Sequence, residues 1–152
     1  MLLETPLDLR RATAGRRLIG LDPGTKTIGV AVSDPGHVIA TPRTVIRRRK
    51  LVLDLEQLRA IVAETGAGGF IIGLPLNMDG SKGPRVQSVR AFQRELAKVF
   101  DLPMAFADER LSTAAVERQL IANDVSRGRR AEVIDAHAAA YILQGVLDMR
   151  TD

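Results

Sequence analysis

RLIGLDPGTKTIGVAVSD, residues 17–34, decides the fold of this chain. Residues 17–22 and 28–34 are rich in Leu, Ile and Val, and each predicts a β-strand. Residues 23–27 form the short segment between them and predict a hairpin turn. The first of the two strands therefore ends on an acidic side chain, Asp22.

The rest of the chain predicts alternating helices and strands. Leu51, Leu55 and Leu58 recur at helical spacing, and residues 70–75 form an apolar run typical of a strand covered on both faces. The predicted elements after the hairpin are a strand within residues 37–46, a helix from residue 51 to the glycines at 66–69, a strand at 70–75, a helix around 89–99, a strand at 104–108, and helices at 113–122 and about 130–147.

This order of elements predicts an α/β fold with a five-stranded mixed sheet flanked by helices. Strands 1–3 are expected to be antiparallel, and strands 4 and 5 to lie parallel to strand 1 because crossover connections are right-handed. The carboxyl ends of strands 1, 4 and 5 then meet at one edge, where open α/β sheets bind ligands. Residues 16–152 are predicted to form this single domain, and residues 1–15 a polar, irregular and loosely docked N-terminal tail.

Three acidic residues are predicted to converge at that edge. Asp22 ends strand 1, Glu109 follows strand 5, and Asp135 lies inside the apolar stripe of the last helix. A carboxylate in such a stripe is costly to bury unless it is paired or ligated. Asp135 lies too far into the helix for an N-cap, which leaves an ion pair with Arg129 or Arg130 as the structural alternative to a site.

Cysteine is absent from the chain. Its absence excludes a thiolate zinc site, an iron–sulfur cluster, a cysteine nucleophile and a disulfide scaffold. No apolar run approaches the roughly 20 residues that a membrane span needs, and the first residues do not resemble a signal peptide. We therefore expect a cytoplasmic protein.

The basic residues indicate a polyanionic partner. Lysine and arginine total 22 against 18 acidic residues, giving a net charge of +4, and only four of the 22 are lysines. Arginine suits phosphate because its planar fork donates several hydrogen bonds. Arginine-rich surfaces also arise from genomic composition and solubility. Aromatic residues make up only 3% of the chain, so a bound nucleic acid would be held by its backbone rather than by base stacking. The clusters are residues 10–11, 16–17, 47–50 and 127–130, with Arg90, Arg94 and Lys98 at helical spacing as a further candidate stripe.

Four segments carry a resemblance to a known family. Residues 21–34 (LDPGTKTIGVAVSD), 73–81 (GLPLNMDGS), 108–113 (DERLST) and 135–139 (DAHAA) resemble, in the same order, motifs of the YqgF (RuvX) family. That family comprises pre-16S rRNA nucleases and Holliday-junction-resolvase-like proteins of the ribonuclease H-like superfamily. The resemblance covers about residues 16–148, and Pro23 departs from the small aliphatic residue more frequent in the family.

The resemblance implies a ribonuclease H-like fold and a metal-dependent nuclease. It places the catalytic, metal-binding acids at Asp22, Glu109 and Asp135. Such carboxylates suit Mg²⁺ or Mn²⁺, because hard cations take oxygen ligands and can activate water for phosphodiester hydrolysis. The residues expected to bind the substrate are Lys26, Asn77, Ser81, Arg85 and Arg110. The alternative for Lys26 and Arg85 is a solvent-exposed charge in a turn with no role in binding.

The expected function is processing of the 5′ end of pre-16S rRNA, with nucleic acid as the partner. Two alternatives remain open: a Holliday junction resolvase, for which a homodimer would be required, and a non-catalytic nucleic-acid-binding ribosome assembly factor. An ATPase or sugar kinase also begins with a strand and an Asp-x-Gly-Thr turn. That architecture needs two such domains, however, and this chain has the length of one and no P-loop.

Overall fold

The computed structural model describes residues 1–75, 83–108 and 127–149, and for residues 127–135 only the backbone. No helix in these ranges combines the length and the apolar character that a membrane crossing requires. The predicted helix at residues 113–122 lies outside the described residues. The described strands are β1 (Leu18–Pro23), β2 (Thr27–Ser33), β3 (Ala40–Arg47), β4 (Gly69–Leu74) and β5 (Met104–Asp108), and the described helices are α1 (Pro6–Ala12), α2 (Leu51–Thr65), α3 (Pro84–Val99) and α4 (Arg127–Leu147).

The strands form one mixed sheet in the order β3-β2-β1-β4-β5. β1 pairs antiparallel with β2, and β2 pairs antiparallel with β3. β4 lies parallel to both β1 and β5. The predicted five-stranded mixed sheet is confirmed, and it brings the carboxyl ends of β1, β4 and β5 to one edge.

The two faces of the sheet carry separate hydrophobic cores. Side chains alternate between faces along a strand, so Ile19 and Leu21 of β1 pack into the core formed with α2 and α3. Leu18 lies on the opposite face, in the core that contains Ala139 and Leu143 of α4. Even-numbered residues of β1 therefore face α4.

At Gly20 of β1, α4 lies directly against the strand. A Cβ at residue 20 would lie 2.9 Å from Leu143 Cβ and 3.1 Å from the carbonyl oxygen of Ala139. Real Cβ atoms do not approach neighbours this closely, so only glycine allows this separation between strand and helix. The contact fixes the distance of α4 from β1.

The N-terminal residues differ from the sequence prediction. Residues 6–12 form α1, in which the Thr5 side chain accepts a hydrogen bond from the Asp8 N–H and Pro6 occupies the first turn. Leu9 is fully buried in the core on the α4 face, and Arg10 Nη1 donates to the Met149 carbonyl at 2.6 Å. The prediction of an irregular, loosely docked stretch is wrong here, because one apolar side chain and one arginine attach this short helix to the domain.

Replacing Gly20 with Ala tests the close approach of α4. We expect a loss of about 1–3 kcal/mol in the free energy of unfolding, because the added methyl group forces strand and helix apart. Gly145→Ala in α4 is the matched control, since a Cβ there meets nothing within 4 Å and alanine favours the helix by up to about 1 kcal/mol. Urea unfolding measures both variants, and equal stability of the two would contradict the proposed close contact.

Candidate active site at the edge of the sheet

Asp22 lies at the carboxyl end of the central strand. It is half-buried and pairs with Gly29 of β2. Since Gly20 faces α4, Asp22, two residues further along β1, faces the same side. On the other side of β1, Leu21 pairs with Ile72 of β4 in parallel register. The next residue of β4, Gly73, therefore lies beside Asp22. The residues beside Asp22 on both neighbouring strands, Gly29 and Gly73, are therefore glycines.

The backbone of Asp135 lies on the Asp22 side of the Gly20 contact. Gln144, near the end of α4, accepts a hydrogen bond from the Ala40 N–H at 2.8 Å, and Ala40 begins β3 at the opposite edge of the sheet. The amino-terminal half of α4 therefore points towards the edge that carries Asp22. Asp135 lies four residues before Ala139, about 6 Å along the helix axis. Asp22 lies two residues after Gly20, about 6.6 Å along the strand. The two acidic positions therefore lie at similar distances from the contact, in the same direction.

β4 and β5 end at the same edge. Leu74 pairs with Asp108 in parallel register, and the core on the α4 face contains Ala105 and Ala107 of β5. Glu109 and Arg110 come directly after Asp108 in the chain but lie outside the described residues, as do Asn77 and Ser81. Among the described side chains no three His, Cys, Asp or Glu residues form a metal-binding group. The predicted set of three acids is not tested by that finding, because of its members only the Asp22 side chain is described.

Arg85 is held at the turn that follows Asp22. It lies in the first turn of α3, and its Nη2 donates to the carbonyl oxygen of Pro23 at 2.9 Å. Lys26 is exposed in the turn between β1 and β2, which is closed by a hydrogen bond from the Gly24 N–H to the Thr27 carbonyl at 2.7 Å. The structure thus brings Arg85 and Lys26 to the turn that follows Asp22.

Arg48 is a residue of this edge that the sequence did not single out. Its Nη1 donates to the Gly24 carbonyl at 2.7 Å, its backbone N–H donates to the Lys26 carbonyl at 2.9 Å, and its guanidinium lies 5.5 Å from the centre of the Phe92 ring. The sequence shows only a basic cluster at residues 47–50. Nothing in that run indicates which of its side chains turns inward.

The carboxyl group of Asp34 has a pKa below its ordinary value, and it lies at the opposite edge of the sheet from Asp22. The cause is hydrogen bonding to the charged form, first from the Ile39 N–H and then from the Val38 N–H. Both bonds reach Oδ1 at 2.8 Å. This contribution to stability is present above the ordinary carboxyl pKa and is lost as the pH falls through the lowered value. Asp34 therefore shapes the turn between β2 and β3 rather than the candidate site.

The chain has a ribonuclease H-like fold. The structure is similar to that of Thermus thermophilus RuvC in complex with a Holliday junction substrate, with a TM-score of 0.55 at 14% identity over 87% of this chain and 93% of RuvC. It is also similar to a yeast mitochondrial Holliday junction resolvase, with a TM-score of 0.52 at 15% identity over 91% of this chain and 82% of the resolvase.

The sequence identifies the family. The model described as "RuvX: Holliday junction resolvase" matches residues 16–149, and the chain belongs to the RuvX family. A protein of Rhodopseudomonas palustris strain HaA2, named "Putative pre-16S rRNA nuclease", is 62% identical over 131 residues, which cover 86% of this chain and 82% of that protein. A protein of the same name from Bradyrhizobium sp. strain ORS 278 is 62% identical over 134 residues, covering 88% and 83%. The resemblance to the YqgF (RuvX) family is confirmed.

Replacing Arg48 with Met tests its hold on the turn after Asp22. The variant keeps an apolar stem near Phe92 and removes the guanidinium. We expect the free energy of unfolding to fall by about 1–3 kcal/mol, because the Gly24 carbonyl loses a charged donor. Arg59→Met in α2 is the control, since Arg59 forms an exposed ion pair with Glu56 and such pairs contribute at most about 1 kcal/mol. Urea unfolding measures the stability of both variants. If Arg48→Met lost no more stability than Arg59→Met, the role of Arg48 would be contradicted.

Proposed function

We propose that this protein is a metal-dependent nuclease that hydrolyses phosphodiester bonds and processes the 5′ end of pre-16S rRNA in the cytoplasm. The observation that carries the proposal is the position of Asp22 at the carboxyl end of the central strand, facing α4. The names of relatives that are 62% identical to this chain support the choice of ribosomal RNA as the substrate.

Asp22, Glu109 and Asp135 are proposed to hold Mg²⁺ or Mn²⁺. The donor set fits, because all three offer carboxylate oxygens, which hard cations prefer. The bound ions would activate the attacking water and stabilise negative charge on the leaving oxygen.

Basic and polar residues around the acids are proposed to hold the substrate. Arg85 is attached to the Pro23 carbonyl, so its guanidinium stands at the turn after Asp22, where it would meet a phosphate that passes over this edge of the sheet. Lys26 projects from an exposed turn and supplies a second positive charge. The remaining residues of the proposed binding set are Asn77, Ser81 and Arg110.

A Holliday junction resolvase is the second candidate function. The description of the matching family model favours it. Both reactions hydrolyse the same bond, so the acids do not discriminate between them. A resolvase would act as a homodimer to cut two strands, whereas a 5′-end nuclease needs only one site.

Asp22→Asn, Glu109→Gln and Asp135→Asn are each expected to lower cleavage by about 100-fold or more, because each removes a charged ligand and several kcal/mol of transition-state stabilisation. Initial rates on a 5′-extended precursor RNA with Mg²⁺ or Mn²⁺ measure the effect. Asp8→Asn is the control, since Asp8 lies in α1 near Arg11, away from the edge that carries Asp22. Near-normal cleavage by one of the three variants would remove that residue from the site.

Depletion of the protein in cells is expected to accumulate 16S precursor extended at its 5′ end. Wild-type protein should restore maturation, and the Asp22→Asn variant should not, because the proposed role is catalytic. Primer extension on total RNA measures the precursor. Rescue by Asp22→Asn would indicate a non-catalytic assembly factor, and normal precursor with persistent branched DNA after damage would indicate the resolvase.

A further inference from the structure

The connection between β3 and α2 brings a basic segment to the same edge of the sheet as Asp22. Arg49 and Lys50 are both exposed, and they follow the end of β3 at Arg47 after one residue. The backbone N–H of the residue before them, Arg48, donates to the carbonyl of Lys26 at 2.9 Å, so this segment lies against the exposed turn between β1 and β2. We call Lys26, Arg49 and Lys50 the basic corner.

The basic corner lies close to the proposed catalytic edge. β3 is separated from β1 by β2 alone, a lateral distance of about 10 Å for two strand spacings. Thr27, next to Lys26, pairs with Arg47 at the end of β3. A nucleic-acid strand at Asp22 that extends towards β3 therefore meets the basic corner.

The backbone of the corner is held in place by buried contacts. The Arg49 N–H donates to Asp54 Oδ1 at 3.1 Å, and Asp54 is only 1% exposed. The Arg48 side chain turns inward and donates to the Gly24 carbonyl, so its charge stabilises the turn rather than adding to the basic surface. Because the corner is ordered in advance, binding there loses less conformational entropy than binding to a free loop.

The acidic residues of α2 neutralise only part of the positive charge of the corner. Asp54 is buried beneath the corner, Glu56 pairs with Arg59 at 3.3 Å, and Glu64 pairs with Arg43 further along the sheet. Three exposed cations on a fixed backbone suit the phosphates of an extended polyanion. Base recognition is not expected from them, because lysine and arginine at such spacing track the backbone.

We propose that Arg49 and Lys50, together with Lys26, bind backbone phosphates of the substrate strand on the β3 side of Asp22. This inference rests on the proposed nuclease function for its substrate. It adds a strand-docking surface outside the predicted site residues, of which only Lys26 belongs to the corner.

The test compares two variants with equal loss of charge. Arg49→Gln/Lys50→Gln removes two cations from the corner, and Arg16→Gln/Arg17→Gln removes two exposed cations that precede β1 at the opposite edge. Both are made in the full chain carrying Asp22→Asn, so that the RNA stays intact. Fluorescence anisotropy with a short labelled single-stranded RNA of mixed sequence, across a potassium chloride titration, gives the affinity and its salt dependence.

The corner variant is expected to bind more weakly, with a log–log salt slope shallower by about 1.4, since each single-strand phosphate contact contributes about 0.7. The opposite-edge variant should keep the slope of the parent, and Arg49→Lys/Lys50→Arg should keep it too because the charges remain. Thermal unfolding checks that the corner variant is folded. Equal slopes for the two charge-removing variants, or no salt-dependent RNA binding by the parent, would overturn the inference.

Cleavage by the chain with Asp22 intact separates this inference from the proposed function. If the labelled RNA binds through the corner but the 5′-extended precursor RNA is not cleaved with Mg²⁺ or Mn²⁺, the nuclease proposal fails and the docking surface stands. If the precursor RNA is cleaved and the corner variant keeps the slope of its parent, the docking surface fails and the nuclease proposal stands.

Discussion

The contact between Gly20 and α4 is the constraint on which the candidate site depends. The helix lies so close to β1 that a methyl group at residue 20 would overlap Leu143, and this contact sets the position of α4 over the central strand. Asp22 is two residues beyond the contact on the strand, and Asp135 is one turn before it on the helix. A larger residue at position 20 would move the two acidic positions apart, so a packing requirement and a proposed catalytic requirement are met by the same glycine.

The turn after Asp22 is fixed by two arginines from different parts of the chain. Arg85 of α3 binds the Pro23 carbonyl, and Arg48 binds the Gly24 carbonyl. Two successive peptide groups are thus held from the side of the sheet opposite α4. A hairpin turn with a glycine and two threonines would otherwise be free to move, and the direction of Asp22 would move with it.

The sequence predicted the sheet because its signals are local and strong: a hairpin, a continuous apolar strand at residues 70–75 and helices with regular apolar spacing. It did not predict α1, because seven residues are too few for a periodic pattern, although Thr5 before Pro6 is a helix-start signal. It placed Asp22 at the correct edge from chain order alone. It could not show the inward turn of Arg48, because that depends on the distant carbonyl of Gly24 and on the Phe92 ring of α3.

The basic residues show why charge counts do not locate a nucleic-acid surface. Arg90, Arg94 and Lys98 form a regular stripe in the sequence, yet Arg90 lies 5.6 Å from the Phe106 ring centre and Lys98 pairs with Glu95 at 2.9 Å. Much of that positive charge therefore packs or is neutralised. Cations contribute to backbone binding when they are exposed, form no ion pair and stand on a fixed backbone. Along the described edge Arg49 and Lys50 meet those conditions better than the stripe does, since Asp54 accepts from the Arg49 backbone N–H rather than from its side chain.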